Sequence, residues 1–140
     1  MRSFSFKPFQ ALCAMACIGL AGVAQAHNDD WFEKHGTPHG GQVRMAGPYH
    51  LEWMPQQQGV LIYVTDHGDT PIPTAGWSAQ VITLNAGKKT RIALKPAGAN
   101  TLRGSGSVAV NAQAVLTVTP KAGEDYSARF QPPAAKAALP

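Results

Sequence analysis

The chain has 140 residues, with 12 Lys or Arg against 8 Asp or Glu and 44% hydrophobic residues, which suits one globular domain. Its basic residues are scattered, only Lys88 and Lys89 being adjacent, so the formal charge of +4 does not mark a nucleic-acid surface. The sequence carries no HExxH, no GxSxG and no phosphate-cradling glycine loop, and it points to a binding protein, not an enzyme.

Residues 1–26 read as a cleaved secretory signal peptide. Arg2 and Lys7 make a basic start, Ala11 to Ala24 form an apolar core, and Ala24-Gln25-Ala26 supplies the small-x-small pattern of a signal-peptidase site. The apolar stretch is shorter than the roughly 20 residues that span a bilayer, although an uncleaved anchor is the alternative. Cleavage after Ala26 leaves 114 of the 140 residues, starting at His27, with 10 bases against 8 acids. Both cysteines, Cys13 and Cys17, leave with the leader, so the mature chain has neither a disulfide nor a thiolate ligand. The expected location is the periplasm of a Gram-negative bacterium, with no membrane span after cleavage.

Residues 27–40 are polar and rich in His, Asp and Gly. They read as a flexible His-rich arm or irregular lead-in, in which Asn28, Asp29, Asp30 and Glu33 can cap one short helical turn before Pro38 stops it. From Gly41 onward strands and turns follow one another. Tyr49 to Met54 alternates, with Tyr49, Leu51 and Trp53 expected toward the core and His50, Glu52 and Met54 as an exposed row. Val60 to Thr65 is a β-branched apolar run typical of a central strand, and Asp66-His67-Gly68-Asp69 follows as a turn. Trp77 to Leu84 and Thr90 to Leu94 read as strands joined in a hairpin at Asn85-Ala86-Gly87-Lys88. A short strand is expected around Leu102, another within Val108 to Val118, and a last one at Tyr126 to Phe130. Gln131 to Pro140 is a Pro/Ala-rich tail, expected to be disordered over 132–140.

About seven short strands at regular spacing, with no helical period beyond a turn, give an all-β fold class. The expectation is one antiparallel β-sandwich or small barrel of about six to eight strands over residues 41–131. Trp53, Ile62, Val64, Trp77, Leu94, Leu116 and Phe130 are the expected core.

The histidines carry the functional signal. His27, His35, His39, His50 and His67 are the five in the chain, and none follows residue 67. Imidazole is the commonest protein ligand for transition metals. The candidate metal ligands are therefore His39, His50, Glu52, His35, His27, Met54 and His67. The thioether of Met54, with Met45 as a second, favours copper(I) or silver(I). Met54 as a gap-filler and His67 as a plain turn residue are the competing explanations. Cleavage before His27 would put a free amine and an imidazole on one residue, a chelate for copper(II).

The stretch His39-Gly40-Gly41, then Tyr49-His50-Leu51-Glu52, then Val60 to Asp66, is similar to the "HGG…LE" segment of periplasmic adaptor subunits of RND-type metal efflux pumps. It also resembles small periplasmic proteins associated with heavy-metal efflux. Pro71, Ala75-Gly76, Leu94 to Asn100 and Leu102-Arg103-Gly104 continue the pattern, so the resemblance covers roughly residues 39–130. It implies a β-rich domain in metal handling or resistance, with His39 and Glu52 as motif residues acting either as ligands or as a structural turn. It also implies an efflux adaptor or another periplasmic metal protein as partner.

The function expected is binding of a transition metal ion, copper first and zinc, silver, nickel or cobalt as alternatives, in efflux, resistance or delivery. A docking module of an envelope complex without metal, and a copper oxidoreductase using His27, are the competing readings.

Overall fold

The structure, a computed structural model, describes residues 29–109 and 112–131. The leader, His27 and the tail from residue 132 onward lie outside the described residues. The chain runs α1 (Asp29–His35), β1 (Gln42–Ala46), β2 (Tyr49–Gln56), β3 (Gly59–Asp66), β4 (Ser78–Asn85), β5 (Lys88–Pro96), β6 (Thr101–Ser105), β7 (Gln113–Thr119) and β8 (Tyr126–Phe130). The strands form one antiparallel sheet in the order β1-β2-β3-β6-β5-β4-β7-β8. The sheet curls into a nearly closed barrel. The Gln131 amide donates to Gln42 Oε1 at 3.0 Å and ties the end of β8 to the start of β1.

The expected antiparallel all-β fold is thus found, with eight strands. The sequence reading passed over β1. The strand expected within Val108 to Val118 is β7, which runs from Gln113 to Thr119. The hairpin at Asn85 to Lys88 forms as expected, with Ala86 and Gly87 both at positive φ, as a two-residue turn matched to strand twist demands.

The interior is filled by alternate residues of each strand, because a pleated strand turns successive side chains to opposite faces. Leu51 and Trp53 of β2 meet Val60, Ile62 and Val64 of β3, Val81 of β4, Leu94 of β5, Leu102 of β6, Leu116 of β7 and Phe130 of β8. All seven expected core residues are in this cluster.

A second, smaller packed layer lies on the outside of β1, β2 and β3. Phe32 of α1 and Val43 of β1 are buried but stand apart from the interior cluster. Phe32 sets its ring edge-on to His50, with centroids 5.0 Å apart and planes at 81°. The helix is also held by Asp29 Oδ1, which accepts from the Met45 amide at 3.2 Å, and by Arg44, which pairs with Glu33 at 3.1 Å and Asp29 at 3.6 Å. The short helical turn expected after Asn28 is therefore a helix docked on the barrel. This corrects the expectation for β2. His50 and Glu52 do not form an exposed row but lie buried, at 3% and 4% exposure, beneath α1 and the segment that follows it.

Candidate functional site

The outer face of β2 carries two histidine–carboxylate groups. The first is centred on Glu52. Its Oε1 accepts from the amides of His39 and Gly41, each at 2.9 Å, and its Oε2 meets His39 Nδ1 at 2.7 Å. The His39 ring stacks on Tyr63 of β3, with centroids 3.7 Å apart and planes 6° from parallel. The turn is closed from within, the Gly40 amide donating to Thr37 O at 3.3 Å and the Thr37 hydroxyl to Gly41 O at 3.0 Å. Gly41 has to be glycine here. A Cβ would lie 2.4 Å from Trp53 O, 2.8 Å from Met54 Sδ and 2.9 Å from Glu52 Cγ. The His-Gly-Gly stretch thus works as a structural turn clasped by Glu52, and the carboxylate has three N–H donors inside the chain.

The second group is centred on His50. The loop after β3 brings Asp69 to one side of its ring and His67 to the other. His50 Nδ1 lies 3.3 Å from Asp69 Oδ1, and His50 Nε2 lies 3.1 Å from His67 Nδ1. The far nitrogen of His67, Nε2, is 3.1 Å from the carbonyl oxygen of Gly47 in the turn between β1 and β2. The two rings stand nearly perpendicular, at 86° with centroids 4.9 Å apart.

The loop is rigid for a local reason. Asp66 Oδ1 accepts from the amides of Gly68 at 2.8 Å and Thr70 at 2.9 Å, and the Asp69 amide donates to Asp66 O at 3.1 Å. The Thr70 amide holds the Asp66 carboxyl below its ordinary pKa; desolvation opposes it, and the Gly68 amide adds a smaller lowering. Asp69 takes a left-handed φ of 60°, which aspartate tolerates better than most residues. Gly47 also sits at positive φ, and a Cβ there would fall 2.3 Å from the Tyr126 ring. The Tyr126 hydroxyl donates to Glu124 at 2.7 Å, which raises its pKa.

The hydrogen-bond directions around His50 fix its chemistry. An ionised carboxylate and a peptide carbonyl can only accept. Asp69 therefore takes a proton from His50 Nδ1, and Gly47 takes one from His67 Nε2. With both imidazoles neutral and these two contacts donated, His50 Nε2 and His67 Nδ1, 3.1 Å apart, are both acceptors, and a proton or a metal ion shared between them makes the approach favourable. Two imidazole nitrogens bound to one zinc-like ion at about 2.0–2.1 Å and a tetrahedral angle lie about 3.4 Å apart. A carboxylate or carbonyl on the far nitrogen is also the usual support of a metal-bound histidine.

The other expected ligands fall elsewhere. His35 stacks on Trp31 at 4.4 Å and contacts the Trp31 carbonyl through Nδ1 at 2.9 Å, exposed on α1. Met54 lies beside Gly41. His27 is outside the described residues. Among the described residues, no group of three or more His, Cys, Asp or Glu is placed to hold a metal ion. From the sequence, Asp66-His67-Gly68-Asp69 was a turn that could also add ligands, with His67 the last of the candidates and the Gly47 carbonyl not among them. A signal for them existed. The β2–β3 turn has two residues, Gln57 and Gln58, which pairs Gln56 with Gly59 and, by counting back, His50 with Thr65. Residues 66–69 must then emerge at the His50 end of the hairpin.

Comparison with family models, curated proteins and solved structures returns no match.

Proposed function

We propose that this protein is a periplasmic transition-metal-binding protein whose centre is the pair His50 Nε2 and His67 Nδ1. The observation that carries this reading is the 3.1 Å approach of these two nitrogens, each with its far nitrogen set against an acceptor. A metal ion takes the place of the bridging proton, with Asp69 and Gly47 O fixing the tautomers that present both lone pairs. Two imidazoles leave coordination positions open, which suits a carrier that receives and hands on its ion. The leader sequence supports the periplasmic setting. The resemblance to efflux adaptors supports a role in metal efflux, resistance or delivery, with such an adaptor as partner.

A structural reading competes with this one. A shared proton would also bridge the rings and pin the loop after β3 to the β1–β2 turn, and the Glu52 clasp shows that this face does use histidine for structure. Calorimetric titration of Cu(I), Cu(II) and Zn(II) into the mature protein, His50→Ala and His67→Ala separates the two. The metal reading expects one ion per chain, with affinity lost in both variants. If wild type binds no ion more tightly than either variant, the pair is a proton-bridged strut and the protein a docking module.

A further inference from the structure

We infer that the outer face of β4, β7 and β8 docks an acidic segment of a partner protein, whose apolar side chains enter a groove between Lys89 and Arg129. The inference is independent of the metal reading.

Cations that are scattered along the sequence gather in the fold. The strands β4 to β8 carry Lys88, Lys89, Arg91, Lys95, Arg103 and Arg129, and no aspartate or glutamate. Alternation puts Lys89, Arg91 and Lys95 on the outward side of β5, all exposed, since Ile92 and Leu94 fill the interior. Lys95 is directly opposed to Arg103 of β6, and like charges in that relation are destabilising. Among the described residues, none of these cations is paired with a carboxylate. The ion pairs formed lie on His39, Arg44 and His50. The face therefore holds positive charge that nothing in the described chain neutralises.

Strand register sets apolar residues among these cations. Leu84 of β4 is opposite Lys89 of β5, Ile82 is opposite Arg91 and Val115 of β7, and Val115 is opposite Arg129 of β8. A groove of about 490 Å³ opens there, bordered by Lys89 and Arg129, with Ile82, Leu84 and Val115 along it. Clefts that hold ligands run from about 300 to 1,000 Å³. Leu84 is 50% exposed, and apolar surface rimmed by charge marks an interaction site.

The chemistry of the groove selects its occupant. Its apolar residues take apolar side chains, and its two bordering cations take carboxylates, which the Arg129 guanidinium can hold in bidentate fashion. A bilayer presents a plane, which meets the rim of a groove but not its floor. The residues that follow Gln131, itself at the groove, carry Lys136 and no acidic side chain, so they repeat the charge of the site instead of complementing it. Helix α1 of a second copy is acidic, but its Asp29 and Glu33 are already paired with Arg44. An acidic segment of another protein is the occupant that matches both the apolar floor and the charge.

The probe is a dye-labelled peptide of alternating glutamate and leucine, titrated with the protein by fluorescence anisotropy. Wild type is compared with Lys89→Glu combined with Arg129→Glu, with Leu84→Ser, and with Lys34→Glu on α1, each checked for an unchanged far-UV circular dichroism spectrum. The double reversal should weaken binding by at least about tenfold, because it turns two attractions into like-charge contacts. Leu84→Ser should weaken it several-fold, and Lys34→Glu should leave it unchanged. Salt at about 1 M, where the Debye length falls to about 3 Å, should also weaken it. The methyl resonances of Ile82, Leu84 and Val115 should shift on binding. A peptide that does not bind, or binds the double reversal as well as wild type, overturns the inference. So does binding of phosphatidylglycerol vesicles without binding of the peptide, which would make the face a membrane contact. Self-association in sedimentation equilibrium that the double reversal abolishes, with no peptide bound, would assign the groove to a second copy and overturn it too.

Discussion

Glu52 and His50 stand two residues apart on the same face of β2, both buried, both next to a histidine from another segment, yet their surroundings differ in kind. Around Glu52 every contact is between unlike partners. Two backbone amides and one imidazole nitrogen point at two carboxylate oxygens. Around His50 the partners are a carboxylate and a second imidazole, whose Nδ1 lies 3.1 Å from His50 Nε2, so that two groups of the same kind meet. The first arrangement is complete within the chain, and removing a member only strands the rest. In the second, the two imidazole nitrogens share a proton or, on the function proposed above, a metal ion. A buried histidine beside a carboxylate is therefore not by itself a ligand.

The barrel under both groups sets the scale for breaking this comparison. Leu116 is fully buried in the interior, and Leu116→Ala should cost about 2–5 kcal/mol in chemical denaturation, through lost burial and the cavity left behind. Metal stoichiometry of the folded fraction should not change. Next comes the clasp. Glu52→Ala should destabilise by about 1–3 kcal/mol, since the amides of His39 and Gly41 lose their acceptor. Metal affinity of the folded protein should stay within a few-fold of wild type, and a loss as large as that of His50→Ala would mean the two groups act as one site. Asp69→Asn sharpens the contrast from the other side. It should leave unfolding nearly unchanged, because Asp69 is half exposed, and weaken metal binding by about tenfold through the orientation of the His50 ring.

The smallest expected effect concerns acid. Asp66 has its pKa lowered in the folded protein by the Thr70 and Gly68 amides. Its folded-state pKa lies below its unfolded one, so its contribution is present above the ordinary carboxylate range and is lost as pH falls through the lowered value. The advantage in melting temperature of wild type over Asp66→Asn should hold at neutral pH and narrow in acid below about pH 4. A gap that persists unchanged in acid would show that the loop is held by other contacts.

Of the candidate site, the sequence showed the residues but not their grouping. His39 and Glu52 were picked out by the resemblance, His50 and Glu52 by alternation, and His67 only by being a histidine. Which of them meet depends on contacts distant in sequence. Asp69 reaches His50 across 19 positions and His67 reaches Gly47 across 20, neither of which local pattern encodes. The exposed row was misjudged for a related reason. Alternation reports which residues share a face, not what covers it. The cover here is α1, whose single buried residue, Phe32, gives no amphipathic period in seven residues.

The sequence by itself determined that the chain is all-β, where most strands lie and which residues fill the interior. Those properties follow from a period of two and from turn residues that act locally. It also confined every histidine to the first half of the chain. The tertiary structure decided that α1 packs on the outer face of the barrel against β1 and β2, that Glu52 closes a turn, and that His50 meets His67 instead of His39. Those outcomes were fixed by strand register and by the course of the loop after β3. Both bring together residues whose separation along the chain carries no signal of their contact in space.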